Sequence, residues 1–122
     1  MEMLKDVTIG DHKYQIGRFT AKVGSWLLSQ SAKGSKMTEQ DFANVQDHCL
    51  AVCKRYEPTS NVPMPVMAGP GKFAIAELEY DMATVTKLQG HAMSFNFDDF
   101  LAETAREIKE TLAAQASDNS TI

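Results

Sequence analysis

Residues 37–56, MTEQDFANVQDHCLAVCKRY, constrain the fold more than any other stretch of the chain. Phe42, Val45, Cys49, Val52, Cys53 and Tyr56 recur in steps of three or four, the spacing that gathers side chains on one face of an α-helix. Thr38 and Asp41 form a capping-box-like start, with the threonine hydroxyl placed to accept from a backbone N–H that the first turn leaves unpaired. Glu39 and Asp41 complement the positive helix end, and Lys54 and Arg55 the negative one. Pro58 stops the pattern, since it cannot continue a helix and turns Glu57 away from helical backbone. The spacing predicts a central helix over 37–56.

Other segments arrange themselves around that helix. Val7 and Ile9, then Tyr14 and Ile16, alternate with polar residues on either side of Gly10-Asp11, which reads as a β-hairpin with one apolar face. Thr20 is a natural N-cap for a helix over 21–32 that turns Val23, Trp26, Leu27 and Gln30 to one side. Gly24 within it costs roughly 1 kcal/mol against alanine, and Gly34 offers a left-handed stop. Residues 57–72, EPTSNVPMPVMAGPGK, hold all four prolines of the chain and fit no regular element. Residues 73–80 suit a short strand or a helix equally. Asp81 then caps a helix to about residue 93 with Met82, Val85, Leu88 or Gln89, and Ala92 or Met93 inward. Residues 94–98, SFNFD, read as a tight corner. A last helix over 99–115, capped by Asn96 or Asp98, would bury Phe100, Leu101, Ala105, Ile108 and Leu112 and pair Arg106 with Glu110. The expected fold is α+β: a small, mainly α-helical single domain over 1–116 with an N-terminal β-hairpin, then a flexible polar tail over 117–122.

Composition narrows the functional classes. With 43% hydrophobic residues the chain can bury a core, and no run approaches the roughly 20 apolar residues of a membrane span. The start, MEMLKDVTIG, lacks the basic and apolar regions of a secretory signal, so a cytoplasmic protein is expected. Sixteen acidic residues outnumber 12 basic ones. Lys13, Arg18, Lys22, Lys33 and Lys36 lean basic together but carry no nucleic-acid motif and no interleaved aromatics. Cys49 and Cys53 fall on the apolar face and read as reduced core thiols. Two thiols with His48, His12 or His91 do not reproduce a zinc-ligand spacing. Ser25, Ser29 and Ser31 lack a nucleophile elbow, and Gly69-Pro70-Gly71-Lys72 lacks the phosphate-loop spacing. No catalytic residue, metal or cofactor is expected.

Three stretches together resemble the tail assembly chaperones of long-tailed bacteriophages: VTIGDHKYQIGRFTAKVGSWLL, DHCLAVC and ELEYDMATVTKLQGHAMSFNFDDF. Their order matches that family's layout of hairpin, helix, central helix, proline-rich loop and helices ending in an asparagine–phenylalanine corner. The similarity spans residues 7–101. It implies a non-enzymatic protein of the host cell cytoplasm, outside the mature virion. Its partner would be the tape measure protein, kept soluble while tail tube protein polymerises around it. The family often has a second, frameshift-extended form, and the polar end of this chain would correspond to the short one. A holdase needs an adaptable apolar groove for an amphipathic helical client. Val62, Met64, Val66 and Met67 either fold back over the core or form an adaptable partner-binding edge, and Phe95, Phe97 and Phe100 either pack inside or leave a binding patch. Under the groove reading Trp26, Met64, Val66, Met67, Phe95 and Phe97 are the expected residues, being aromatic or flexible side chains near irregular structure. A long client would also take several copies, so a homo-oligomer is a further expectation. The alternative is a small phage or bacterial adaptor or inhibitor that binds one folded partner.

Overall fold

The computed structural model describes residues 2–119. Strand β1 (Leu4–Ile9) and strand β2 (His12–Gly17) form the hairpin, closed by a two-residue turn in which Ile9 faces His12. Gly10 has a φ of 61°, so the first turn position needs glycine. Ile9, Tyr14 and Ile16 are buried, and Val7 packs beside them. Helix α1 (Ala21–Ser31) follows, with the Thr20 side chain accepting from the Val23 N–H. A short 3₁₀ turn, Gly34–Lys36, leads into helix α2 (Glu39–Leu50).

Helix α2 is shorter than the periodicity predicts. Its chain turns at Ala51, and Cys53–Arg55 is strand β3, paired antiparallel with β2 through Ile16–Cys53 and Tyr14–Arg55. Gly17 N–H donates to the Val52 carbonyl at 2.8 Å, so the hairpin takes the backbone groups that the helix would have used. Cys53 stays inward in either conformation. A step of four on a helix, and a turn followed by period-two alternation, both bury Cys49 and Cys53 and expose Lys54. Arg55 therefore caps no helix. It lies buried, donating from Nε to Glu57 at 2.8 Å and from a terminal nitrogen to Glu77 at 2.5 Å. Burial pulls the Arg55 pKa down, but the hydrogen bonds to Glu57, Glu77 and Tyr14 outweigh it and leave the guanidinium more firmly charged than usual. Phe42, expected on the buried face, is exposed.

The proline-rich segment also differs from the expected irregular loop. Strand β4 (Met64–Pro65) extends the sheet to the order β1-β2-β3-β4, and strands β5 (Met67–Gly69) and β6 (Lys72–Phe73) make a small ribbon. Pro65 sits on the edge strand, where a missing N–H is tolerated. Val66 stitches the two sheets: its N–H donates to the Cys53 carbonyl and its own carbonyl accepts from Ala74. Residues 76–80 are neither α-helix nor strand but a 3₁₀ helix, Ala76–Tyr80.

Helix α3 (Met82–Asn119) is a single helix of 38 residues. The corner at 94–98 does not exist, because the groups expected to cap a new helix are engaged otherwise. Asp98 accepts from the Ser94 hydroxyl at 2.5 Å, a helix-compatible pair four apart. The Asn96 amide turns sideways to the β2–α1 connection. Val85 is buried as the spacing predicts, and Leu88 and Ala92 are buried where Gln89 and Met93 are only half-buried, whereas Met82 is exposed. Phe100, Leu101, Ile108 and Leu112, expected inward, are 49–60% exposed, and Ala105 is exposed as well. Arg106 lies 4.0 Å from Glu103 rather than pairing with Glu110. Helical backbone continues through residue 119 of the expected tail, and residues 120–122 lie outside the described ones.

Two acidic caps anchor the helix starts. Asp41 accepts from the Thr38 backbone N–H at 3.0 Å, completing a capping box, with Lys33 at 3.5 Å. Asp81 accepts from the Thr84 N–H at 3.1 Å and from its hydroxyl. These backbone hydrogen bonds, first in each case, hold both carboxyls below the usual aspartate range. A depressed folded pKa contributes stability above the unfolded value, lost as pH falls through the folded one. The urea midpoint should therefore drop from about pH 4 downward, and the double variant Asp41→Asn, Asp81→Asn should flatten that limb.

Candidate functional site

The side chains that open to solvent as a group lie where α1 meets the middle of α3. Here the sequence brings two elements together through one asparagine. Asn96 Oδ1 accepts from the Phe19 N–H at 2.9 Å, and its Nδ2 donates to the carbonyls of Gly17 at 3.2 Å and Ala92 at 2.8 Å. Arg18 adds a second clasp. Its Nε donates to the Glu2 carbonyl at 2.7 Å, a terminal nitrogen donates to the Phe95 carbonyl, and the guanidinium lies 3.7 Å from the Phe95 ring centre. A cation over an aromatic face adds about 0.5–1 kcal/mol at a partly exposed site. The β2–α1 connection is thus pinned across α3.

Above this clasp lies a groove of about 420 Å³, with Phe19, Gly24 and Leu28 on one wall and Phe97 and Phe100 on the other. Phe19 and Phe97 rings pack 5.6 Å apart at a tilt. Gly24 lies against that aromatic pair, and an added Cβ would sit 3.7 Å from the Phe97 ring, in ordinary contact, so the rings do not require glycine there. From Phe100 the apolar surface continues along α3 through Leu101, Ile108 and Leu112. Steps of three, four and seven place these side chains on one stripe. Phe97 to Leu112 spans about 22 Å at 1.5 Å per residue, four turns of helix. Among the described residues, nothing in the chain covers that stripe.

The six residues expected to form a groove do not make one surface. Val66 is 0% exposed and Phe97 only 7%, so both belong to the core, although an edge of Phe97 floors the groove. Phe95 is half-buried under Arg18. Trp26 packs on His48, 4.9 Å between ring centres, at the seam of α1 and α2. Met67 is half-buried and lines a separate hollow with His48 and Pro70. Met64 is exposed on the edge strand, apart from the groove. Phe19, Leu28 and the outward role of Phe100, Leu101, Ile108 and Leu112 escape sequence reasoning. The signal that could find them is the absence of proline and glycine from residue 91 onward, which lets the helix run past the core.

The remaining chemical groups are held in structural contacts. Burial raises the Cys49 thiol to about 12 and the Cys53 thiol to about 12, with Cys49 adding to the latter, and the Cys53 Sγ donates to the Cys49 carbonyl. Both are neutral, buried thiols, unsuited to act as nucleophiles. Around Arg55 a smaller hollow is lined by Tyr14, Glu77 and Asp81, but Glu57 and Glu77 already engage the guanidinium. Among the described residues, no three His, Cys, Asp or Glu side chains converge as a metal site would require, and no helix is long and apolar enough to cross a membrane. Comparison with models of protein families, with curated proteins and with solved structures finds no match to this chain.

Proposed function

We propose that this protein is a non-enzymatic phage tail assembly chaperone, which binds the tape measure protein in the host cytoplasm and keeps it soluble while the tail tube assembles. One observation carries the reading beyond the resemblance: the groove of Phe19, Leu28, Phe97 and Phe100 runs on into the uncovered stripe of Leu101, Ile108 and Leu112. Contiguous apolar surface of this kind marks an interaction site on a soluble protein. Its shape suits an amphipathic helix laid along α3, with anchors three or four residues apart. Each leucine- or phenylalanine-sized anchor that goes from half-exposed to covered contributes about 1 kcal/mol. A few such anchors, less the cost of association, give reversible binding, as a holdase that must release its client requires.

The test is co-expression with a tape measure protein from a long-tailed phage, followed by size exclusion with light scattering. The client is expected in the soluble fraction, carrying several copies of this chain. A client that precipitates while this chain elutes alone would contradict the proposal. A fixed one-to-one complex with a folded protein would favour the adaptor or inhibitor instead.

A further inference from the structure

We infer that α3 is one helix with two stabilities. Through Phe100 the folded core holds it, and from Leu101 onward it opens and closes by itself, so that a partner on the apolar stripe also sets the helix it binds. From Leu101 to Ala114 every side chain but the half-buried Thr104 is exposed. Among the described residues, the side-chain bonds of this part stay within the helix. Thr111 donates its hydroxyl to the Glu107 carbonyl at 3.0 Å, and Arg106 lies 4.0 Å from Glu103. Before it, Leu88, Ala92 and Phe97 are buried, and Asn96 bonds to Gly17 and Phe19. A helix extended from a packed turn has no nucleus to form. Each further residue still sets one hydrogen bond against the freedom of its own backbone, nearly in balance. Thr104, Ile108 and Thr111 tip that balance toward opening, because β-branched side chains lose rotamers in a helix.

Charge tips it further. Asp99, Glu103 and Glu107 are four residues apart and Glu110 is three beyond, so like charges meet on successive turns. At about 100° per residue they lie on the face away from Leu101, Ile108 and Leu112, where they weaken the helix without touching the stripe. Arg106 returns little, since its contact with Glu103 is long and both side chains are about two-thirds exposed. Glu107 is the focus of the repulsion. Its charged neighbours three or four residues away are Glu103 and Glu110, with no basic residue among them. A partner's apparent affinity falls by the fraction of time that the helix is formed, so the acidic back of the helix tunes binding on its front.

Hydrogen exchange of the full chain, read amide by amide by NMR, tests this without any partner. The Leu88 and Ala92 amides should exchange only on global unfolding, and those of Ile108 to Leu112 no more than about tenfold slower than the same residues in an unstructured peptide. Glu107→Lys turns two repulsive neighbours into two attractive ones and should slow the Ile108 to Leu112 amides about fivefold on that scale, with Glu107→Gln slowing them about twofold. The Leu88 amide should not change in either variant, which shows that both are folded. Amides of Ile108 to Leu112 as protected as that of Leu88, or unmoved by Glu107→Lys, would overturn the inference. So would protection that rises with protein concentration, because a second copy would then be holding the helix. The measurement uses no client, so the chaperone reading stands or falls separately on the co-expression.

Discussion

Asn96→Ala should destabilise the fold by about 2 kcal/mol, a shift of roughly 6–10 °C in Tm for a chain of this size. The substitution removes an acceptor from the Phe19 N–H and a donor from the Gly17 carbonyl, both partly buried. Leaving a buried polar group unmet costs about 1–3 kcal/mol, and the better helix propensity of alanine returns only a few tenths. Asn96→Asp keeps the acceptor for Phe19 and loses the donor, so it should fall between the two. Urea unfolding of the three proteins checks the order. A neutral alanine variant would mean that the β2–α1 connection is held in place by Arg18 and apolar packing alone.

The second large effect contrasts two leucines on the same helix. Leu88 is fully buried in the core, and Leu88→Ala should cost about 3 kcal/mol, within the range for removing a buried leucine. Leu112 is 60% exposed, and Leu112→Ala should change stability by less than about 0.5 kcal/mol. The comparison separates the packed half of α3 from its projecting half. Were the last helix folded back on the core, as its apolar spacing suggests by itself, both leucines would be costly.

That spacing shows what sequence can and cannot convey here. The hairpin was legible because alternation, turn chemistry and glycine at a positive φ all point the same way around Gly10. The caps at Thr20, Thr38 and Asp81 were legible because a short polar side chain before an apolar period has one common use. The end of α2 was not, since Cys49, Val52 and Cys53 satisfy a helical stripe and a turn-plus-strand alike, and only pairing with β2 decides between them. Val66 stays open between core and groove in the sequence because a proline-rich context reads as irregular, while its backbone supplies the link between two small sheets and its side chain is buried. Asn96 and Asp98 read as caps because those residue types usually are. In the fold Asn96 spans to another element and Asp98 bonds within the helix. An amphipathic stripe says that a face is to be covered and leaves open whether the chain itself covers it. For Val85, Leu88 and Ala92 the chain does; for Leu101, Ile108 and Leu112 it does not.

Whether these uncovered residues hold the proposed client is read most directly by repeating the co-expression with the double variant Phe100→Ser, Leu112→Ser. Both side chains are about half exposed, so the variant should unfold at nearly the wild-type temperature. The variant is nevertheless expected to leave the tape measure protein in the pellet, where the wild-type chain is expected to keep it in solution. A folded double variant that solubilises the client as well as the wild type would contradict a role for this stripe and place the client elsewhere on the molecule.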